Sequence, residues 1–130
     1  YFSAKSDVLW SGYDEQADTA IERLREGQPV AECLLAIGAG LAPDALALAI
    51  TNADAMGISV ELDRDRAVRQ FRLQRELAAR FVRDGTPELA AQVRAGALSA
   101  AVLAAVWAWA DRTAAGRPLA EMLDAALALA

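Results

Sequence analysis

The longest uncharged stretch of the chain, residues 95–110, predicts a buried central helix. It holds sixteen consecutive residues between Arg94 and Asp111. Helical spacing puts bulky side chains on two sides, with small alanines between them: Leu98, Val102, Val106 and Trp109 on one side, Leu103 and Trp107 on the other. We therefore expect neighbours on more than one side; contact with another copy is the alternative. Such a helix spans roughly 24 Å, short of the roughly 30 Å of a bilayer core, so we expect no membrane span.

Glycine and proline mark the ends of further helices. The pattern Gly-x-Pro occurs at residues 27–29, 85–87 and 116–118, where glycine closes one helix and proline opens the next. With these stops, apolar periodicity predicts helices over 11–26, 29–37, 43–50, 63–83, 86–110 and from 118 onward, with a break between Gly96 and Ser99. No stretch reads convincingly as a strand. The predicted fold class is therefore all-α, a single compact bundle of five to seven helices around the central apolar helix.

The first thirteen residues are predicted to form an N-terminal arm, either irregular or a short helix, of a single helical domain, residues 1–130. We expect its aromatic side chains to lie on the core, because they interrupt an otherwise polar segment: Phe2, Trp10 and Tyr13. Ser11 is a suitable N-cap for the first helix, with Asp14 and Glu15 in its first turn.

The helix predicted over 63–83 has an apolar face and a charged face. Its apolar arc is expected to pack on the core: Val68, Phe71, Ala78 and Val82, with Ala67, Leu77 and Phe81 beside them. The residues opposite are expected to face solvent or a partner: Arg69, Arg72, Glu76, Arg80 and Arg83.

Composition narrows the class of protein. The hydrophobic fraction of 55% is ample for one core, and the abundance of alanine favours helix. A formal net charge of −5 makes nucleic acid an unlikely partner, because phosphate binding needs a basic surface. A single cysteine cannot form an internal disulfide, and the first residues contain no apolar run of a signal peptide. We therefore expect a cytoplasmic protein of bacterial type.

The absence of histidine argues against an enzyme. Without it the chain lacks the usual general base near neutral pH and the commonest metal ligand, so we expect no cofactor and no metal. Cys33 lies on an apolar stripe without a basic neighbour and is expected to be an inert core residue. Enzymatic chemistry would have to use carboxylate pairs that match no motif: Asp63 with Asp65, or Asp111 with Asp124.

The connection over residues 51–62 can be compared with a calcium-binding loop. Gly57 falls at the sixth position if Asn52 is the first, but Met56 stands where an oxygen ligand belongs. Asp63 also replaces the bidentate glutamate of the last position. An ordinary connection between helices is the preferred interpretation.

Charge is distributed unevenly along the chain. Residues 61–84 contain seven arginines and five acidic residues, a net charge of +2, whereas residues 1–60 have a net charge of −6. Guanidinium groups pair well with carboxylates and phosphates, so four arginines are the candidate partner-binding residues: Arg69, Arg72, Arg80 and Arg83. The alternative is that the acidic first helix and Glu76 neutralise them within the fold.

These observations predict a non-catalytic protein–protein interaction module, such as an adaptor, accessory or immunity-like domain. Its expected partner is an acidic protein or another domain of a larger chain, and a homodimer is the further option. The alternative is a sensory domain that binds a small molecule beside Trp107 and Trp109, because alanine-rich packing around indoles can leave a pocket.

Overall fold

Seven α-helices build the residues that the computed structural model describes, 2–40, 45–111 and 117–130, with side chains from Asp7 onward. No strand occurs in these ranges, and the predicted all-α class is confirmed. The helices are α1 (Phe2–Arg25), α2 (Val30–Ala39), α3 (Ala45–Thr51), α4 (Ala53–Met56), α5 (Ser59–Arg83), α6 (Glu88–Ala110) and α7 (Leu119–Leu129). The expected helix start near Pro43 and the stop at Gly116 lie outside the described residues, as does the Phe2 side chain.

Helix α1 begins at Phe2 and not after Ser11. Its buried side chains recur every three or four residues: Trp10, Tyr13, Ala17, Ala20, Ile21 and Leu24. That spacing continues one helical face through the segment expected to be an arm, and Ser11 lies inside the helix with its hydroxyl bonded to the carbonyl of Val8. The expectation that Trp10 and Tyr13 lie on the core is confirmed.

The predicted glycine and proline boundaries are present where the structure describes them. Gly27 and Gly85 have φ angles of 89° and 98°, the left-handed conformation in which glycine commonly ends a helix. Pro29, Pro87 and Pro118 each stand directly before a helix. In α2, Gly38 is buried against α7, where an added Cβ would lie 3.1 Å from the Ala120 Cα atom, so glycine sets the close approach of these helices.

Helix α6 is the central apolar helix, and it continues through Gly96 without the predicted break. It packs against α3, α5 and α7, with Val102, Leu103 and Val106 fully buried. The other side of the helix is open: Ala97, Ala104 and Ala108 are exposed. The expectation of neighbours on more than one side is confirmed, and one strip of the helix stays uncovered.

Helix α5 has a different rotation about its axis from the predicted one. Leu62, Leu73 and Leu77 are buried, whereas Phe71 is 59% exposed. Val68 and Val82, which were also expected on the core, are exposed as well. The prediction is confirmed for Leu77, Ala78 and Phe81, which are buried. The rest of the predicted arc turns outward, because α5 presents its arginines to α1.

The connection between α3 and α5 does not form a calcium-binding loop. Helix α4 occupies Ala53–Met56, and α5 begins at Ser59, four residues earlier than predicted. Only short turns at Asn52 and at Gly57 and Ile58 separate the helices. The predicted interpretation as a connection between helices fits this geometry.

By length and composition, α6 is the one helix in the described ranges that could cross a membrane, and 39% of its most apolar window is buried in the fold. The core helix of a soluble protein satisfies the same criteria.

Candidate functional site

The charged side of α5 lies along α1, and we call this contact the seam. On α5 it consists of Arg69, Arg72, Glu76, Arg80 and Arg83. Later residues of α5 pair with later residues of α1, so the two helices run parallel. Arg69 makes a two-pronged contact with Asp14, in which Nε and Nη2 donate to the two carboxylate oxygens at 2.8 and 2.9 Å. Two further ion pairs follow along the helices: Arg72 with Asp18 at 2.7 Å, and Glu76 with Arg25 at 2.8 Å.

The seam ends where α5 arginines bind carbonyl groups in the last turn of α1 and in the turn that follows it. Arg80 is only 8% exposed and donates from its terminal nitrogens to three carbonyl oxygens: Leu24 at 3.1 Å, Gly27 at 3.2 Å and Gln28 at 2.6 Å. Arg83 also donates to the carbonyl of Leu24, at 3.1 Å. The last carbonyls of a helix lack partners within the helix and carry partial negative charge, so two guanidinium groups suit this end of α1.

The electrostatic environment of the seam favours the charged forms of Glu76 and Arg25. Hydrogen bonds from Arg25 hold the pKa of the Glu76 carboxyl below its ordinary value, against the opposing effect of partial burial. The same hydrogen bonds raise the pKa of Arg25. Glu76 therefore keeps its charge to lower pH than a free glutamate, and its ion pair with Arg25 persists over the same pH range.

A cluster of aromatic rings adjoins the seam. The Arg69 guanidinium lies 4.4 Å from the centre of the Trp10 ring, which contacts the rings of Tyr13 and Trp107 at centroid distances of 5.5 and 5.9 Å. Among the described residues, the Tyr13 hydroxyl and the Trp10 Nε1 atom are buried without a hydrogen-bond partner. Burial raises the pKa of Tyr13, so its phenol stays neutral and is a poor general base.

The seam corrects the expectation that Arg69 and Arg80 face outward, whereas Arg72 and Arg83 are exposed as expected. Arg80 is buried and the Arg69 side chain is 14% exposed, while Arg72 and Arg83 also bond to α1. The alternative expectation, pairing with the acidic first helix, is met by Arg69 and Arg72. Arg80 and Arg83 instead donate to backbone carbonyls, and Glu76 pairs with Arg25. Asp14 and Asp18, one turn apart on α1, were the signal for the pairing with the first helix. A partner-binding role for these arginines stays a prediction, and contacts within the fold already engage most donors of Arg69 and Arg80.

The two tryptophans predicted to bind a ligand are both partly buried, and they differ in position. Trp107 lines a pocket of about 270 Å³, whereas Trp109 is not part of its wall. The other lining residues come from α3, α4 and α5: Ile50, Thr51, Ala53, Asp54, Ser59, Leu62 and Asp63. The Arg66 guanidinium lies over the Trp107 ring, 4.6 Å from its centre.

Two open helix faces were not located from the sequence, although contact of the 95–110 helix with another copy was the alternative expectation. The first, called the α5 outer face, consists of Val60, Arg64, Val68, Phe71, Arg75 and Val82, all exposed. The second, called the α6 outer face, consists of Leu89, Val93, Ala97, Ala104 and Ala108, all exposed. Their helical spacing is visible in the sequence, but apolar spacing alone does not say which side of a helix is covered.

Groups for catalysis are not brought together in the described parts of the chain. No group of three or more cysteine, aspartate or glutamate side chains there lies close enough to hold a metal ion. Cys33 is buried, and burial raises the pKa of its thiol, which disfavours the reactive thiolate. Asp54 and Asp63 line the same pocket as Trp107.

No protein-family model, curated protein or solved structure matches this chain, so a functional proposal has to rest on the arrangement of its own residues.

Replacing Arg80 by methionine tests its structural role at the end of α1. Arg80→Met keeps a long apolar stem but removes the donors to three carbonyls, so we expect the free energy of unfolding to fall by about 2–3 kcal/mol. Urea unfolding followed by circular dichroism measures this change. The matched variant Arg64→Met, at an exposed site, should change the same quantity by less than about 0.5 kcal/mol. Equal, small effects of the two substitutions would contradict a structural role for Arg80.

Proposed function

We propose that this chain is a non-catalytic protein–protein interaction module, a cytoplasmic adaptor or accessory domain that binds through apolar helix faces. The observation that carries this proposal is the α6 outer face. Along this face the helix exposes two large apolar side chains, Leu89 and Val93, followed by small alanines. An exposed apolar surface of this kind marks an interaction site more often than a random feature of the surface.

The α6 outer face suits a second helix. From Leu89 to Ala108 it extends for about 29 Å, at 1.5 Å per residue. Its alanines let two helix backbones approach closely, and the side chains of the face carry no charge that would have to be desolvated. Binding at this face therefore gains apolar burial at little electrostatic cost.

A second copy of the chain is the simplest partner for the α6 outer face. A two-fold interface brings the same surface patch of both subunits together, so a patch with charges of one sign would face charges of the same sign. This face avoids that repulsion because none of its residues is charged. The homodimer considered from the sequence is thus the form of association that we propose to test first.

Glutamates placed on the α6 outer face should disrupt this association. We expect the wild-type protein to form a dimer in sedimentation velocity, and the double variant Ala97→Glu, Ala104→Glu to sediment as a monomer because two like charges would be buried. The matched double variant Ala31→Glu, Ala55→Glu, at exposed alanines of α2 and α4, should sediment like the wild type.

Circular dichroism should show that both double variants keep their helix content, since all four alanines are exposed. A wild-type protein that stays monomeric at high concentration would contradict homodimerisation, and so would a dimer that survives glutamates at positions 97 and 104.

A second candidate function rests on the pocket beside Trp107. Its volume of about 270 Å³ is close to the lower end, roughly 300 Å³, of pockets that bind small molecules. Trp107, Ile50 and Leu62 supply apolar contact, and Asp54 and Asp63 supply acceptors for a positively charged or hydrogen-bond-donating group. We propose binding of a small ligand here as the alternative to the interaction module.

Tryptophan fluorescence tests the pocket. Titration with a panel of small amines and neutral aromatic compounds should give a saturable change for at least one compound, and Trp107→Phe should abolish that change. Trp109→Phe is the control and should retain it, because Trp109 does not line the pocket. A flat response across the panel, or a response that depends on Trp109 alone, would contradict ligand binding at this place.

A further inference from the structure

Helix α5 carries two apolar stripes, and only one is covered by the fold. The inner stripe, with Leu62, Leu73 and Leu77, is buried. The outer stripe is the α5 outer face, whose members follow one another at intervals of three, four or seven residues and therefore share one side of the helix. From Val60 to Val82 it extends for about 33 Å, the length of a helix of roughly twenty residues.

The arginines of the α5 outer face differ from those of the seam. Arg69 and Arg72 are paired with aspartates of α1. Within the described residues, no ion pair joins Arg64 or Arg75 to a carboxylate. The Arg75 guanidinium instead lies 5.5 Å from the centre of the exposed Phe71 ring. Stacking on a ring leaves the N–H groups at the edge of the guanidinium free to donate.

We propose that the α5 outer face binds an amphipathic helix of a partner protein whose apolar stripe is flanked by carboxylates. The apolar side chains of the partner pack on Val68, Phe71 and Val82, in the way that helices dock into apolar surfaces. Its carboxylates accept hydrogen bonds from Arg64 and Arg75, for which the planar guanidinium is well suited.

Charge gives this contact its selectivity. The α5 outer face contains two arginines and no acidic residue, whereas residues 1–60 have a net charge of −6. An acidic helix is repelled by the acidic part of the chain and attracted here, while a basic helix meets like charge at both arginines. Such complementarity sets which partner binds and in which place, more than it sets affinity.

The α5 outer face is separate from the α6 outer face. Helix binding at α5 can therefore be disproved while dimerisation through α6 is confirmed, and the reverse. A library of displayed amphipathic helices of about twenty residues, matched to the length of the face, tests it directly. Leucine is fixed along one stripe, and the flanking positions are drawn from glutamate, lysine and glutamine. Selection against the folded wild-type protein should enrich glutamate at the flanks, and the selected peptides should bind in fluorescence anisotropy.

Variants of the α5 outer face give the decisive comparison. Val68→Asp with Phe71→Asp should weaken the selected peptides by about tenfold or more, and Arg64→Glu with Arg75→Glu should weaken them similarly and shift selection toward lysine. Val93→Asp, on the α6 outer face, is the matched control and should leave peptide binding unchanged. If circular dichroism shows that the variant with two aspartates is unfolded, peptide binding by the folded variant Arg64→Glu, Arg75→Glu decides whether the proposal holds.

Four results would overturn the proposal. These are the absence of enriched peptides, enrichment without preference for glutamate, unchanged binding by folded variants of the α5 outer face, and loss of binding in Val93→Asp.

Discussion

The contact between the guanidinium groups of α5 and the acidic side of α1 determines how the rest of the molecule is presented. Arg69 binds Asp14 with two hydrogen bonds while its guanidinium stacks on Trp10, and Arg80 binds three carbonyls at the end of α1 and in the turn after it. An exposed ion pair contributes little to stability, but bonds from a buried guanidinium to several acceptors cost much more to break. The seam therefore fixes the rotation of α5 about its own axis.

That rotation explains both the occupied arginines and the open apolar surface. Arg80 is turned inward. Phe71 precedes it by about two and a half helical turns and therefore lies on the opposite side of α5, away from α1 and toward solvent. Arg69 and Arg80 are engaged inside the fold, while Arg72 and Arg83 stay exposed at its edge. Apolar residues of α5 and α6 are exposed as well, and they carry the proposed contacts. The pocket at Trp107 is lined by α3, α4, α5 and the end of α6.

Much of the fold could be predicted from the sequence, because its signals are local. Glycine at a left-handed φ and proline before a helix mark boundaries without knowledge of the tertiary structure, as at Gly27 and Pro29. The rotation of α5 could not be read in this way, since that helix has two apolar stripes of similar strength. Choosing between them requires knowing that Asp14 and Asp18 lie opposite, which is a contact over more than fifty residues. The α6 outer face was missed for a related reason: alanine fits a core and a surface equally well.

Thiol labelling of single cysteines on α5 tests this rotation most directly. In a Cys33→Ala background, a cysteine replacing Phe71 should react with a soluble thiol reagent at nearly the rate of the unfolded chain. A cysteine replacing Leu73 should react at least about a hundred times more slowly, because that position opens only through local unfolding. Protection of position 71 together with rapid reaction at position 73 would contradict the packing of α5 on α1, and with it the surfaces assigned to recognition.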